Sequence, residues 1–306
     1  MAVGEKAMTT MFHAPFLGRR CGDLLLGLAL ALLAMAAPQA AQNAAPQRII
    51  SVIPAITEML FAIGAGPQVV GVGSFDQLSP EIAQLPRVGA LLHPDMEQIF
   101  SLRPDLVALY GSHLDQQSQL ARAGIPVFSY RHGGLDDVTA TIRELGHRTG
   151  HAAEAEQVAR SIEQGLEEIR KRVAGRKRPR TLVVIGREPG VIRNVYANGG
   201  VGFLHDMLEV AGATNVFARV KREAVQPASE IILTTGADVI IELRVKGILD
   251  PLAIERETEV WNRLSTLPAV RTGRVHFLIG ADLVVPGPRI VEGTRRLAQL
   301  IHPEAF

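Results

Sequence analysis

The sequence predicts an α/β fold of two lobes with parallel-type sheets, joined by one long α-helix, with a ligand cleft between the lobes. Short β-branched segments alternate with amphipathic segments from Arg48 onward, which is typical of parallel sheets covered by helices. One amphipathic segment, at 151–176, is much longer than the others. A helix–strand unit also occurs twice, as HPDMEQIFSLRPDLV from His93 and as QPASEIILTTGADVI from Gln226. Two similar units and one long helix predict two similar lobes and a connecting rod.

Length and composition favour a globular protein of two domains. The chain has 306 residues, which is long for a single core, and 47% of them are hydrophobic against 21% charged. The 32 Lys and Arg residues balance 31 Asp and Glu residues. Because no basic surplus is available to neutralise phosphates, we expect no nucleic-acid partner.

Residues 1–45 are predicted to be a signal peptide and a short linker. Arg19 and Arg20 precede an apolar run of roughly a dozen residues that passes into small residues, the pattern of a secretory signal. A membrane-spanning helix would need about 20 apolar residues. The alternatives are a lipid anchor on Cys21, which lies before the apolar run instead of after it, and a twin-arginine export signal. We predict export to the periplasm, with no cysteine left for disulfides or thiolate metal sites.

The first lobe is predicted at 46–150. Glycines end the helices at 55–64 and 114–123, because glycine adopts the left-handed conformation that closes many helices. A third helix is predicted to begin at Pro94, since proline costs no hydrogen bond at a first helical position. β-Branched and aromatic runs predict strands at 48–53, 69–72, 106–110 and 126–130.

The connecting helix is predicted at 151–176, where apolar residues recur at three- and four-residue steps and polar residues fill the opposite face. The second lobe is predicted at 177–306, where strands and helices alternate again. Its strands are predicted at 180–186, 191–196, 239–243 and 274–279, and its helices at 200–211, 227–235, 259–265 and 287–301.

The repeated unit places one glutamate at the same position in each lobe, Glu97 in the first and Glu230 in the second. Each follows a proline by three residues and precedes a matched aspartate and an apolar strand. Since similar lobes would flank a cleft, the two carboxylates would lie at matched positions on either side of it. The alternative is that each glutamate only favours a helix N-terminus, where negative charge contributes about 0.3–1 kcal/mol.

Three segments carry a resemblance to a known family: RIISVIPAITEMLFAIGAGPQVVGV, LPRVGALLHPDMEQIFSLRPDLVAL, and LSTLPAVRTGRVHFL with the later PGPRIVEGTRRLAQLIHP. Over about residues 47–302 the chain is similar to the iron-chelate and vitamin B12 group of periplasmic substrate-binding proteins of ABC importers, and most of all to its vitamin B12-binding component. The resemblance implies one ligand in the cleft and an inner-membrane permease with its ATPase subunits as partner. It also implies that Glu97 and Glu230 dock onto arginines of that permease.

The ligand implied by the resemblance is cobalamin or a related corrinoid, with haem or a ferric siderophore as alternatives. Phe75 and Tyr110 keep aromatic residues where vitamin B12 binders place rings against the corrin, whereas Leu91 and Leu92 stand where a tryptophan is usual. Tyr110 and the nearby His113 would also suit haem iron, because phenolate and imidazole are both haem ligands. The sequence assigns no metal ligand to the protein itself.

The second lobe supplies the remaining candidates for ligand binding. Gly199 and Gly200 resemble the family's turn that brings the backbone close to the ligand, although a glycine turn with positive φ explains them equally. Arg289 matches an arginine at the cleft rim of the family, and Arg244 follows a predicted strand, where it would face an anionic group of the ligand. The full set of predicted ligand-binding residues is Phe75, Leu91, Leu92, Tyr110, Arg187, Tyr196, Gly199, Gly200, Arg244 and Arg289.

Enzymes with alternating α/β units carry motifs that this sequence lacks. No G-x-G-x-x-G follows the first strand and no Walker loop appears, so the sequence disfavours a nucleotide-dependent enzyme, the alternative from another class. It contains no G-x-S-x-G, and its nine histidines are scattered. A two-lobed sensor without a transporter is a third hypothesis, which the paired glutamates disfavour. We therefore expect a monomeric protein that binds a small molecule and is not an enzyme.

Overall fold

The computed structural model describes residues 44–76, 79–244 and 251–306, together with Met1. Nearly all of the predicted signal peptide lies outside these described residues. Within them, no helix is both long and apolar enough to cross a membrane. Residues 46–306 form one unit, in which helices alternate with strands as the sequence predicts.

The first lobe is built on a sheet of parallel strands, since helices supply the crossovers that parallel pairing requires. Its elements are β1 Ile49–Ser51, α1 Pro54–Ala62, β2 Val69–Val72, α2 Pro80–Ala83, β3 Gly89–Ala90, β4 His93–Pro94, α3 Met96–Ser101, β5 Leu106–Tyr110, α4 Leu114–Arg122, β6 Val127–Tyr130 and α5 Leu135–Thr149. The strands of this sheet are ordered β2-β1-β5-β6, and every neighbouring pair is parallel. β3 and β4 form a separate antiparallel pair.

The connecting helix and the second lobe follow the predicted order. Their elements are α6 Ala152–Val173, β7 Arg180–Gly186, β8 Tyr196–Asn198, α7 Phe203–Val210, β9 Thr214–Asn215, β10 Ala224–Val225, α8 Ser229–Thr234, β11 Val239–Arg244, α9 Pro251–Glu259, α10 Pro268–Arg271, β12 Val275–Ile279 and α11 Ile290–Ile301. The sheet is ordered β10-β8-β7-β11-β12, with β9 also paired to β7. β7, β11 and β12 are parallel, which confirms the predicted parallel core of this lobe.

One part of the second sheet differs from the prediction. β8 is antiparallel to β7, because the segment between them, 187–195, is shorter than the dozen or more residues that a parallel crossover needs. The strand predicted at 191–196 is wrong, since the strand begins only at Tyr196. Asn194 has a φ of 51°, which no strand residue adopts, and the chain there folds into an irregular loop.

The long helix predicted at 151–176 is present as the 22-residue α6. It packs on α5 in the first lobe and on α7 and α11 in the second. α5, to which the sequence analysis assigned no element, ends at Gly150 with a φ of 83°, and a Cβ on Gly146 would lie 2.2 Å from Cβ of Ala155. The two helices therefore approach closely where both residues are small.

The apolar core is continuous through this connecting helix. Buried side chains of one cluster run from Ile56 in α1 through Leu145 in α5 and Ile162 in α6 to Leu208 and Leu297 in the second lobe. A smaller cluster around the fully buried Trp261 fills the other face of the second sheet. Helix α6 thus joins the lobes as part of their core. The domain boundaries at 150 and 176 stay a prediction.

The helix that carries Glu97 begins later than predicted. Pro94 belongs to β4, and α3 begins at Met96. Asp95 is the N-cap residue, and its side chain accepts a hydrogen bond of 3.0 Å from the amide of Gln98. An aspartate with this geometry satisfies a free amide of the first turn, which the proline could not do.

Candidate ligand cleft and paired glutamate helices

Aromatic and histidine side chains gather at the carboxyl edge of the first sheet. Phe75 follows β2, Tyr110 ends β5, and His132 follows β6, so the parallel strands bring the three to one edge. In open α/β sheets, ligands bind beyond the carboxyl ends of the strands. Phe75 is 67% exposed, and Leu114 at the start of α4 is 72% exposed. This edge is therefore apolar and open, as a ligand platform requires.

A cluster of rings crosses from the first lobe to the second. Tyr110 Oη lies 2.5 Å from His132 Nε2, and their ring centroids are 5.1 Å apart. Tyr130 Oη lies 3.4 Å from His132 Nδ1. The centroid of His132 is 6.3 Å from that of Phe203, the first residue of α7. We call Tyr110, Tyr130, His132 and Phe203 the cleft cluster, because it brings rings from both lobes close together at tilted or edge-on angles.

Burial keeps the polar members of the cleft cluster neutral. Desolvation raises the pKa of Tyr110 to about 12, and the Glu223 carboxylate adds to the rise. Desolvation also lowers the pKa of His132, although Glu223 opposes this shift. A neutral imidazole has one donor and one acceptor nitrogen, and a neutral phenol can both donate and accept, so His132 can bond to Tyr110 through Nε2 and to Tyr130 through Nδ1. The imidazole is thereby held between two phenols.

The second lobe faces this cluster with an apolar cavity of about 330 Å³. Its lining includes Ile185 at the end of β7, Phe203 and Val284, with Asn198 and Glu223 as polar groups. The volume falls at the lower end of the range of small-molecule sites, about 300–1,000 Å³. A mostly apolar lining with a few polar groups is typical of such sites. Two larger cavities elsewhere have more charged residues in their lining, several of them already in ion pairs.

Several predicted ligand residues are open to solvent. Leu92 is exposed, whereas Leu91 packs against the main core. Tyr196 is exposed at the start of β8, opposite Gly186, the last residue of β7. Arg244 ends β11 and is partly exposed, with its guanidinium bound to the buried Glu242. Their contact with a ligand stays a prediction.

Arg187, which was predicted to contact the ligand, forms buried ion pairs in the structure, and its contact with a ligand stays a prediction. Its side chain is 0% exposed and lies inside the second lobe. Arg187 Nε is 2.9 Å from Glu242 Oε2, and Nη2 is 2.6 Å from Glu257 Oε2. Trp261 Nε1 also donates to Glu242, at 3.2 Å. A buried charge needs such pairing, and here both carboxylates serve the guanidinium.

Arg289 joins the two lobes instead of standing free at the rim. Its Nη2 is 2.6 Å from Glu58 Oε1 in α1, and its Nε is 3.1 Å from Glu58 Oε2. The hydrogen bonds to Glu58 are the main cause of the raised pKa of Arg289. This bidentate ion pair joins Glu58 and Arg289, which are 231 positions apart in the sequence. Arg289 therefore acts in this structure as an interlobe tie, and any ligand contact would have to compete with Glu58.

Positions 199 and 200 require glycine because a neighbouring loop lies too close to admit a Cβ atom, and not because of their φ angles. Neither has a positive φ. A Cβ on Gly199 would lie 1.9 Å from the carbonyl oxygen of Arg222, and one on Gly200 would lie 2.1 Å from that of Ala218. Their amides donate to the backbone carbonyls of Glu223 and Val220, respectively, each at 2.8 Å. The pair thus holds the segment that presents Glu223 to the cleft.

The cleft cluster contains residues that sequence reasoning missed. His132 and Phe203 were not among the candidates, and neither was Glu223. A signal existed for His132, which follows the strand predicted at 126–130 just as Tyr110 ends its own. No comparable signal marks Phe203, because its meeting with His132 depends on how the lobes pack.

Glu97 and Glu230 occupy equivalent places on two short helices, α3 and α8, which we call the glutamate helices. Each is the second residue of a six-residue helix, and each is exposed. Two residues later, Ile99 and Ile232 are fully buried. No ion pair of either glutamate occurs within the described part of the chain. Both carboxylates are therefore available to a cationic partner.

Matched arginines fix the C-terminal ends of the glutamate helices. Arg48 Nη2 donates to the carbonyl of Leu102 at 2.7 Å, and Arg180 Nη2 donates to that of Thr235 at 2.6 Å. Matched aspartates complete each unit. Asp105 accepts from the Arg48 amide at 2.8 Å, and Asp238 accepts from the Arg180 amide at 2.9 Å. The sequence repeat thus corresponds to a repeated set of contacts.

Asp76 is buried next to Phe75, with one carboxylate oxygen that has no hydrogen-bond partner. Desolvation raises its pKa to about 7, and hydrogen bonds from Thr57 and Gly73 lower it only in part. The Glu58 carboxylate adds a smaller upward effect. Arg87 holds the same turn through the carbonyls of Gly73 and Asp76, at 3.1 and 2.7 Å. The turn that presents Phe75 is therefore anchored by buried polar groups.

Across residues 44–76, 79–244 and 251–306, no group of three or more His, Cys, Asp or Glu side chains is arranged to hold a metal ion.

Comparison with known proteins places the chain in a family. A periplasmic binding protein family model matches residues 49–279. An ABC transporter substrate-binding lipoprotein of Bacillus subtilis, described as uncharacterised, is 29% identical over 270 residues, 85% of this chain and 82% of that protein. A vitamin B12-binding protein of Pectobacterium atrosepticum is 27% identical over 244 residues, 78% of this chain and 84% of that protein.

Solved structures share the fold. The periplasmic vitamin B12-binding protein of Vibrio cholerae has a TM-score of 0.72 at 22% identity, covering 84% of this chain and 97% of that one. A periplasmic haem-binding protein of Pseudomonas aeruginosa has a TM-score of 0.72 at 24% identity, covering 85% and 94%. The family match spans most of the described residues and agrees with the two-lobed fold. The chain belongs to the periplasmic binding protein family of ABC importers.

Proposed function

We propose that the protein captures cobalamin or a related corrinoid in the periplasm and delivers it to an inner-membrane permease with its ATPase subunits. The observation that carries this proposal is the cleft cluster, in which the ring of His132 lies 5.1 Å from that of Tyr110 in the first lobe and 6.3 Å from that of Phe203 in the second. Aromatic faces are suited to stack on a large flat macrocycle.

The exposed apolar side chains around the cluster support a large ligand. Phe75 and Leu114 stand at the carboxyl edge of the first sheet, and Ile185 stands at that of the second. Exposed apolar groups that gather at one site mark a binding surface, whereas scattered ones do not. A corrin would cover several of them at once, and a small polar solute would leave them wet.

Glu223 favours a corrinoid over haem. Its carboxylate lines the cavity and acts electrostatically on Tyr110 and His132. The corrin edge carries amide groups, whose N–H groups donate to a carboxylate, whereas the haem edge carries propionates, which a carboxylate repels. The vitamin B12-binding protein of Pectobacterium atrosepticum among the relatives is consistent with this choice.

Haem is the second candidate because of one feature of the cluster. The Tyr110 hydroxyl and His132 Nε2 lie 2.5 Å apart at the cleft, and phenolate and imidazole are both axial ligands of haem iron. Binding of iron would break this hydrogen bond and remove the Tyr110 proton, whose pKa is raised to about 12 in the free protein. The structurally similar haem-binding protein of Pseudomonas aeruginosa supports haem as the second candidate.

Calorimetric titration of the exported chain with cyanocobalamin, haemin and a ferric siderophore tests the ligand assignment. We expect one cyanocobalamin per chain and an affinity at least about tenfold above that for haemin, a difference of about 1.4 kcal/mol. Phe203→Ala should weaken cyanocobalamin binding, and Phe306→Ala, at another exposed phenylalanine, should not. Tighter binding of haemin, with an absorption band that Tyr110→Phe removes, would assign haem instead. Failure of all three ligands to bind would contradict the proposed function.

Delivery to a permease is proposed from the glutamate helices. Glu97 and Glu230 are exposed at equivalent positions, one on each lobe, as a partner with two matched cationic sites would require. Exposed ion pairs each add about 0–1 kcal/mol of affinity, but they orient the encounter and accelerate it. We therefore assign to this pair the orientation of the protein on the permease.

A further inference from the structure

We propose that Phe100 and Leu233 form, with Glu97 and Glu230, a two-part docking surface whose partner offers an apolar pocket beside a cationic side chain at each of two places. This inference rests on the proposed delivery to a permease and deepens it. It adds an apolar component that supplies affinity to the charged component that supplies orientation.

The two side chains occupy equivalent positions in the repeated unit. Phe100 follows Glu97 by three residues in α3, and Leu233 follows Glu230 by three residues in α8. Residues three apart share one face of a helix, so each apolar side chain lies beside its glutamate. The exposed fractions are also matched, at 37% for Phe100 and 38% for Leu233.

The local pattern shows that these exposures are not a by-product of core packing. Ile99 and Ile232, the residues just before them, are fully buried and already anchor their helices to the core. A single exposed apolar side chain is ordinary in any protein. An exposed apolar residue beside an exposed glutamate at the equivalent position of both lobes is not ordinary, since polar residues could stand there without loss of core packing. Ile231, 51% exposed, enlarges the patch on the second lobe.

The glutamate helices present this surface in a fixed orientation. The guanidinium groups of Arg48 and Arg180 bind the last carbonyls of α3 and α8, at 2.7 and 2.6 Å. A surface that is ordered before binding loses less conformational entropy when the partner arrives. Two short helices held in this way behave as rigid projections, one on each lobe.

The charged and apolar side chains would contribute to different steps of docking. Carboxylates at the rim of an interface mainly govern the rate of encounter and its dependence on salt. Apolar side chains that enter pockets become fully desolvated and govern dissociation, and such anchors often contribute more than 1 kcal/mol each. A partner of this chemistry is a protein surface with two cation-flanked apolar pockets, which we identify as the periplasmic face of the permease.

The test measures ATP hydrolysis by the source organism's own cobalamin-type importers in proteoliposomes, as a function of the concentration of the ligand-loaded protein. We expect Phe100→Ser with Leu233→Ser to raise the half-saturating concentration about tenfold or more, because two apolar anchors are lost. This defect should persist when salt is raised to about 0.5 M, since screening acts on charges. Glu97→Lys with Glu230→Lys should give a defect that shrinks with salt.

Controls separate this inference from the proposed function. Phe306→Ser changes a phenylalanine of the same exposed fraction, 37%, at the C-terminus and should leave stimulation unchanged. Calorimetry should show unaltered ligand binding in every docking variant. If the lysine variant fails to stimulate the importer while the serine variant matches the native protein, the apolar component is wrong and charged docking survives. If the native protein stimulates no importer, the delivery function falls and this inference falls with it.

Discussion

At the scale of single residues, Asp76 shows how the cleft wall depends on protonation. The carboxyl group is 3% exposed, and one of its oxygens has no hydrogen-bond partner. Desolvation raises its pKa from the ordinary value of 3.8 to about 7 in the folded chain. Near neutral pH the group is therefore divided between a neutral form that suits its site and a charged form that does not. The stability of the adjacent turn that carries Phe75 should therefore also depend on pH.

The pH dependence of unfolding tests this assignment in the variant Asp76→Asn. A raised pKa means that the folded chain keeps the proton between about pH 4 and pH 7 while the unfolded chain loses it. Stability from this group is present below the unfolded pKa and is lost as pH rises toward the folded pKa, by about 1.4 kcal/mol per pH unit. From pH 8 to pH 5, the native chain should gain a few kcal/mol relative to the variant in urea unfolding. Parallel pH profiles of the two proteins would show that Asp76 titrates normally.

Some residues of the site could be predicted from the sequence, and others could not. Tyr110 could be predicted because it ends an apolar strand, and strand ends line ligand sites in this fold class. The burial of Arg187 could not be predicted, because its partner Glu242 is 55 positions away and nothing local indicates a buried ion pair. Phe203 was missed for the same physical reason, since only the packing of the two lobes brings it to His132.

At the scale of elements, the repeated helix–strand unit is the most regular feature of the molecule. α3 with β5 and α8 with β11 share an exposed glutamate, a buried isoleucine, an aspartate before the strand and an arginine on the helix end. The arginine hydrogen bonds satisfy carbonyls that a helix C-terminus leaves without intrahelical partners. These contacts compensate for the shortness of both helices, because six residues form little stable helix alone.

Exchange of the two arginines for methionine tests this stabilisation, with each helix serving as the control for the other. Arg180→Met should speed amide hydrogen exchange in α8 about five- to tenfold, since charged hydrogen bonds at a partly exposed site contribute about 1 kcal/mol, and should leave α3 unchanged. Arg48→Met should do the reverse. Equal exchange in both variants, or loss of protection throughout the lobe, would contradict a local role for the arginines.

Strand positions could be predicted well where the chain is locally unambiguous. The strands at 69–72, 106–110 and 180–186 were predicted with their observed bounds, because continuous apolar runs there are bounded by turn residues. The strand at 191–196 failed because an apolar run with a positive-φ asparagine forms a loop. Helix α3 begins two residues after its predicted start because Asp95, and not the proline, supplies the cap.

At the scale of the whole molecule, α6 connects the two lobes through a shared core. Its buried face contacts α5 on one side and α7 and α11 on the other, so the connection is a packed rod and not a flexible linker. The Glu58–Arg289 pair adds a direct tie between the lobes. This construction places the cleft cluster between two walls and sets the glutamate helices at equivalent positions of the two lobes. Capture and delivery would thus use different parts of one continuous frame.

The central claim is that this frame carries a corrinoid from the periplasm to an importer. Its most direct test is ATP-dependent uptake of radiolabelled cyanocobalamin into proteoliposomes that contain a permease and ATPase complex of the source organism. We predict that uptake requires the native protein. Glu97→Lys with Glu230→Lys should abolish uptake while leaving the affinity for cyanocobalamin unchanged. Uptake that is equally fast with the doubly substituted protein, or without any binding protein, would contradict the account.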